Sequence, residues 1–239
     1  MVHIKLEAQE LKTLYGIGAT ASLLQLFVII LYTLVMAIFG PRITSAEEFF
    51  VIQKTESFAV LLRGDLLLLV LVGLYLGNFP ALLVSLWQTK PLTTLFAFLF
   101  TIIAVSLSFA GESSFSLFHL GKLYAAAGSD IERSQFVAAG EAILANGWWN
   151  STGSYVTGIL LQGSGVMISI VMLKSVQFSK ITGFAGLIGN SFDLLQHLLA
   201  PFTTGISEYL SFAMILYLVW YPMLARDLFR LAKNQVTEG

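Results

Sequence analysis

The sequence has no cysteine. Disulfides, thiolate catalysis and cysteine-ligated metals are therefore excluded, and the redox compartment stays open. Charge is scarce too. Asp, Glu, Lys and Arg make up 11% of the 239 residues, where a soluble domain carries about 25%. With 56% of residues hydrophobic, that deficit places the chain among polytopic membrane proteins. Nor is there any excess of positive charge: the formal net charge of −1 argues against a nucleic-acid partner, which would require a basic face. Three catalytic signatures are missing, namely HExxH, a histidine pair at i,i+4, and GxSxG. No cleavable signal peptide is expected. Residues 1–13 mix Lys5 and Lys12 with Glu7 and Glu10, and the apolar run behind them is too long for a signal core.

What the chain does have is long apolar runs. About 20 apolar residues in a helix cross the hydrocarbon of a bilayer. On that rule the sequence predicts an all-α polytopic membrane protein, a single membrane domain with a bundle of six transmembrane helices and short interfacial helices. The spans fall at about 14–39, 65–87, 92–111, 151–173, 181–201 and 205–225. A helical insertion over 112–150 separates the third from the fourth. Gly40-Pro41 stops the first span. Ser45 and Glu48 fit a capping box, as do Ser129 and Glu132. Residues 42–62 are too charged to span and read as an amphipathic helix on the membrane surface. Within the insertion, 115–127 and 130–145 carry two short helical patterns. Trp148 and Trp149 suit an interfacial aromatic belt, and Asn150-Ser151-Thr152 matches a glycosylation sequon.

Small residues line up at helical spacing on several spans. Gly18, Ser22 and Gln25 form a stripe on the first. Gly73 and Gly77 give a GxxxG spacing on the second, with Pro80 beyond as a source of a kink. Thr94, Ala97, Thr101, Ala104, Ser108 and Gly111 make a packing seam on the third, which leaves Leu, Phe and Ile for lipid. Ser154, Gly158, Gln162, Gly165 and Ser169 share a face of the fourth. Gly183, Gly186, Asn190, Asp193 and His197 share a face of the fifth. The short 174–180 link makes the fourth and fifth antiparallel neighbours, so their stripes should meet.

The ionisable residues carry the functional reading. A carboxylate in hydrocarbon is costly and faces protein or a water-filled cavity. His197 lies four residues before Pro201, and Glu208 four after Thr204, so the two share a depth. Asp193 sits about 12 Å inward from Pro201 at 1.5 Å per residue. Arg63 and Asp65 open the second span, Glu112 closes the third, and His119 follows. The nine residues Asp193, His197, Glu208, Asn190, Arg63, Asp65, Glu112, His119 and Gln162 are expected to form an externally facing polar cluster, for ligand binding or for locking helices together. His197, His119, Asp193 and Glu208 also offer nitrogen and oxygen ligands for a metal. The cofactor stays open, with His119 and His197 as axial haem ligands only in principle. The Arg63-Gly64-Asp65 tripeptide, which matches an adhesion motif, falls at a membrane boundary and is read as a helix start.

Lys and Arg counts set the orientation. Lys5, Lys12, Lys90, Lys174, Lys180, Arg226, Arg230 and Lys233 fall on one side, against Arg42, Lys54, Arg63, Lys122 and Arg133 on the other. That bias puts both termini in the cytoplasm and the insertion outside. Six spans, the insertion after the third, and the segment SVQFSKITGFAGLIGN entering the fifth together resemble a family of uncharacterised bacterial multi-pass membrane proteins. Ser179-Lys180-Ile181-Thr182-Gly183 holds the place of the family's basic link, without its proline. The resemblance implies six helices and a bacterial cell membrane, and supplies no catalytic residues. The function expected is binding or moving a small molecule or ion. The alternatives are an accessory subunit of a larger membrane complex and an intramembrane metal-dependent hydrolase. The expected partners are the lipid bilayer, a small ligand or a membrane-protein partner.

Overall fold

A computed structural model of the chain describes residues 7–147, 151–199, 202 and 213–235. These residues are helical, with no strand among them: α1 Ala8–Phe39, α2 Ala46–Thr55, α3 Ser57–Arg63, α4 Leu66–Gly73, α5 Tyr75–Leu86, α6 Pro91–Gly111, α7 Ser114–Ala126, α8 Asp130–Ala145, α9 Thr152–Lys174, α10 Lys180–Leu199 and α11 Ala213–Asn234. Four segments among the described residues are long and apolar enough to cross a membrane: Ala8–Phe39, Leu66–Leu86, Pro91–Ala126 and Thr152–Lys174. This suggests a membrane protein. It also corrects the expectation of six such helices. α10 falls short because Asn190, Asp193, Gln196 and His197 interrupt its apolar run. α11 falls short because Arg226, Asp227, Arg230 and Lys233 load its final turns. The start of the sixth predicted span lies outside the described residues.

The chain divides into two compact units. One comprises Met1–Phe27, Gly73–Val105 and Gly158–Gly239, the other Val28–Val72 and Ser106–Thr157.

In the first unit the small-residue stripes are buried. A methyl added at Gly18 would lie 2.7 Å from the Ala81 Cβ, and one at Gly77 would lie 2.7 Å from the Ala21 Cβ. α1 and α5 thus approach nearly backbone to backbone. Beside that contact the buried Asn78 donates from Nδ2 to Gln25 Oε1 at 2.6 Å. On α6, Thr94, Ala97, Thr101 and Ala104 are fully buried, while Leu92, Phe96, Leu99 and Ile103 are exposed. The Thr101 hydroxyl donates to Ser164 Oγ at 2.9 Å and ties α6 to α9.

The second predicted span breaks at Leu74 rather than at Pro80. Gly77 N–H reaches back only three residues, to the Leu74 carbonyl at 3.0 Å. Pro80 lies inside α5. Its ring presses on the carbonyl four residues earlier, so the disturbance appears a turn or more upstream of the proline.

In the second unit, part of the apolar side of α2 and α3 turns inward, while Val51 and Phe58 stay exposed. Ile43, Ala46, Phe49, Phe50, Val60 and Leu117 form one buried cluster, with residues of α7 and α8 packed around it. Amphipathic periodicity marks an apolar face, and here α7 and α8 cover the part of it that Phe49, Phe50 and Val60 form. Both capping serines act as expected. Ser45 Oγ accepts from Glu48 N–H and Ser129 Oγ from Glu132 N–H, each at 3.2 Å. The Glu48 side chain completes no box and instead meets Arg63. Ala46 N–H, in the first turn of α2, donates to Glu141 Oε1 from α8 at 2.7 Å. Glu141→Ala strands that N–H in a partly covered site and is expected to cost about 1 kcal/mol. Urea unfolding of detergent-solubilised protein checks this.

Candidate functional site

Polar residues of α9, α10 and α11 converge in the first unit on the Tyr217 hydroxyl. Its oxygen lies 3.0 Å from Gln162 Oε1, 3.3 Å from Asn190 Oδ1 and 3.0 Å from Asp193 Oδ2. Glycines make the convergence fit. A methyl added at Gly165 would lie 2.1 Å from Asn190 Oδ1, and one at Gly158 would lie 1.8 Å from His197 Cδ2. The stripes predicted for the fourth and fifth spans therefore meet, and the missing side chains leave the room that the polar ones fill. One turn along, Gly186 lies against Ser169 and the Trp220 indole.

Hydrogen bonds fix the orientation of most groups. Asn190 Nδ2 donates to the Gly186 carbonyl at 2.7 Å. This settles which end of the carboxamide is oxygen and turns that oxygen toward Tyr217. His197 Nδ1 donates to the Asp193 carbonyl at 2.9 Å and lies 3.5 Å from Asp193 Oδ1. A carbonyl only accepts, so Nδ1 is the nitrogen that carries a hydrogen in this contact. Tyr217 stacks on Tyr221 with ring centroids 5.7 Å apart. The Tyr221 hydroxyl in turn pairs with that of Tyr75 at 2.7 Å.

Proton counting shows what this arrangement can do. Tyr217 has one hydroxyl hydrogen and faces three oxygens. All three, the Gln162 and Asn190 carboxamide oxygens and the Asp193 carboxylate, accept only. Buried acceptors left unmatched cost about 1–3 kcal/mol each. A proton or a small cation placed among these oxygens would match the acceptors that the single hydroxyl hydrogen leaves over. Oxygens at right angles around a cation with 2.3–2.6 Å bonds lie about 3.3–3.7 Å apart. The 3.0–3.3 Å spacings about Tyr217 are slightly tighter than this.

Four of the nine predicted residues, Gln162, Asn190, Asp193 and His197, are brought together here. Glu208 lies outside the described residues. Arg63, Asp65, Glu112 and His119 belong to the second unit. Arg63 is buried there, where its Nε and Nη2 donate to the Pro41 carbonyl at 3.0 and 2.8 Å and its Nη2 meets Glu48 Oε1 at 3.0 Å. That burial removes the adhesion reading of the tripeptide. Asp65 lies 3.6 Å from Arg42. Those two side chains line a cleft with room for about 20 Å³, enough for a single water. Glu112 Oε1 accepts from Ser114 N–H at 2.7 Å and closes the start of α7. His119 is exposed. No group of three His, Cys, Asp or Glu able to hold a metal occurs among the described residues.

Two residues escaped the sequence reading. Tyr217 is the hub of the site. It sits in register with Trp220, Tyr221, Leu224 and Leu228, all buried; the i, i+3, i+4, i+7 spacing carried that signal. Asp227, just beyond the last predicted span, is fully buried. Its Oδ2 accepts from Ser179 N–H at 2.9 Å and from the Thr182 hydroxyl at 2.6 Å. Comparison with protein-family models, curated proteins and solved structures finds no match for this chain.

Proposed function

We propose that this chain is an integral protein of the cell membrane, with both termini in the cytoplasm, that binds a monovalent cation, a proton or a sodium ion, among α9, α10 and α11. The observation that carries the reading is the surplus of acceptors around the Tyr217 hydroxyl. In hydrocarbon a lone carboxylate is disfavoured, and a bound cation or proton offsets its charge. Carbonyl, hydroxyl and a single carboxylate oxygen make a hard, singly charged site, suited to a monovalent ion more than to zinc. His197 holds the Asp193 backbone and offers Nε2 as a second place for a proton. In this reading α10 and α11 belong to the fifth and sixth spans, and their polar residues are tolerated because they meet one another. An accessory-subunit role draws no particular support from the α6 seam, which is used up within the chain on α9.

The test is thermal unfolding of purified protein in neutral detergent, with sodium exchanged for potassium or choline at constant ionic strength and repeated from pH 5 to pH 8. Binding at a hundredfold excess over Kd stabilises by about 2.7 kcal/mol. A rise in Tm with sodium, or a pH dependence, is expected in the native protein. Both are expected to vanish in Asp193→Asn and to weaken at least tenfold in midpoint concentration in Tyr217→Phe. A native protein whose Tm ignores all three cations and the whole pH range refutes the proposal.

A further inference from the structure

A second charged feature lies at the other end of α10, apart from the Tyr217 site. Lys174 ends α9, Lys180 begins α10, and Arg226, Arg230 and Lys233 lie on α11. Hydrogen bonds hold these elements together: Lys180 Nζ donates to the Leu173 carbonyl, and Arg230 Nη2 to the Gln177 carbonyl. Asp227 is the one acid in 174–180 and 226–233, and it is already engaged. Ser179 N–H and Thr182 Oγ–H occupy Oδ2, while Arg226 takes Oδ1 at 3.0 Å with Arg230 at 3.7 Å. Five cations therefore face one carboxylate, a surplus of four.

The surplus faces outward. The Arg226 and Arg230 side chains are 55% and 49% exposed, and Lys174, Lys180 and Lys233 are exposed as well. No acidic partner is found for Lys174 or Lys233 among the described residues. Apolar side chains stand among these cations: Val176, at the tip of the 175–179 link, is 99% exposed, and Ile181 is 58% exposed. Free cations mixed with exposed aliphatic groups, beside the end of a segment apolar enough to span, match the chemistry of a bilayer interface. Lys and Arg take the phosphate there while the aliphatic groups enter the acyl boundary.

We propose that this face is a docking surface for anionic phospholipid headgroups. Arg226 and Arg230 are pre-organised by the buried Asp227, and Lys174 and Lys233 supply mobile charge at the margins. The partner is a lipid of the adjoining leaflet and not a soluble phosphate, because the exposed Val176 and Ile181 flank Lys174 and Lys180 in the chain and a free anion would leave them in water. The proposal does not depend on the cation site.

The test uses full-length protein in neutral detergent micelles doped with phosphatidylglycerol, with phosphatidylcholine, or with inorganic phosphate alone, reading Tm against lipid fraction. Phosphatidylglycerol is expected to raise Tm by several degrees, and high salt to erase the rise. Lys174→Gln and Lys233→Gln should each weaken its apparent affinity about fivefold, with the effects multiplying in the double variant. Neither lysine has an acidic partner among the described residues, so their loss is expected to leave folding intact, and each single variant is read beside the double. Equal stabilisation by phosphatidylcholine, an equal effect from inorganic phosphate, or an undiminished phosphatidylglycerol preference in the double variant would overturn the proposal.

Discussion

Asp227→Ala is expected to destabilise the protein by about 3 kcal/mol. The carboxylate is buried and serves as acceptor for the backbone of Ser179, the hydroxyl of Thr182 and the guanidinium of Arg226. Charge-assisted hydrogen bonds contribute about 1.5–3 kcal/mol each. The arginine share is discounted here because that side chain is half solvated. Ser179 is itself the cap of α10, with its Oγ accepting from Thr182 N–H at 3.1 Å. Losing Asp227 therefore loosens the start of the helix that carries Asn190, Asp193 and His197. Asp227→Asn keeps an acceptor and should cost about half as much.

The same residue predicts a pH dependence. Burial pushes the Asp227 carboxyl upward, but the Thr182 hydroxyl, the Ser179 N–H and Arg226 together hold it below its ordinary value. A folded value below the unfolded one means that ionised Asp227 stabilises the fold above about pH 4, the unfolded value. That contribution fades as pH falls from there through the lower, folded value. Urea midpoints of native protein and Asp227→Asn, compared from pH 7 down to pH 3, should keep a constant gap to about pH 4 and then converge. A gap that widens on acidification would refute the account.

Gly165→Leu should cost about 2–3 kcal/mol, in the range of an overpacked core. Its first added carbon would meet the Asn190 carboxamide oxygen at 2.1 Å. That group cannot swing away without breaking its bonds to the Gly186 carbonyl and the Tyr217 hydroxyl. Gly163, two residues earlier on the same helix, has nothing within 4 Å of an added methyl. Gly163→Ala should be neutral or gain up to about 1 kcal/mol from helix propensity alone. Opposite signs at positions two residues apart, read by unfolding in detergent, separate close packing from a general cost of altering α9. Equal effects at both would show that the α9–α10 contact is looser than described.

Much of this packing could be read from residue spacing. The α6 seam and the facing stripes of α9 and α10 are legible because small residues recur at helical period, and hydrocarbon has little other use for them. Asn190 and Asp193 stood out because polar groups in apolar helices must find one another. Their central partner did not stand out. Its register with Trp220, Tyr221 and Leu224, midway along the predicted 205–225 span, marks a buried face, but spacing alone does not show which polar groups a buried hydroxyl meets. Asp227 was hidden for a related reason. A carboxylate flanked by arginines in a polar tail looks solvated, and its burial follows from the 175–179 link folding across it. Residues 42–62 show a third limit: periodicity reveals that Phe49 and Phe50 share a side, but not whether lipid or α7 and α8 cover it. The number of spans failed on the same trade. α10 spends its apolar length on the polar groups that make it interesting.

The break at Leu74 bears on how the chain enters a bilayer. α4 has 8 residues and α5 has 12, about 12 and 18 Å of helix, and neither alone matches the roughly 30 Å of hydrocarbon. To cross a bilayer, 66–86 would have to be inserted as one continuous apolar segment. The two pieces would then be committed together, and the three-residue turn at Leu74 would enter a medium without water to solvate any backbone group it leaves over. Such a junction persists only where neighbouring protein shields it. As a span, this segment would therefore settle only once its companions have been synthesised, rather than when it first leaves the ribosome.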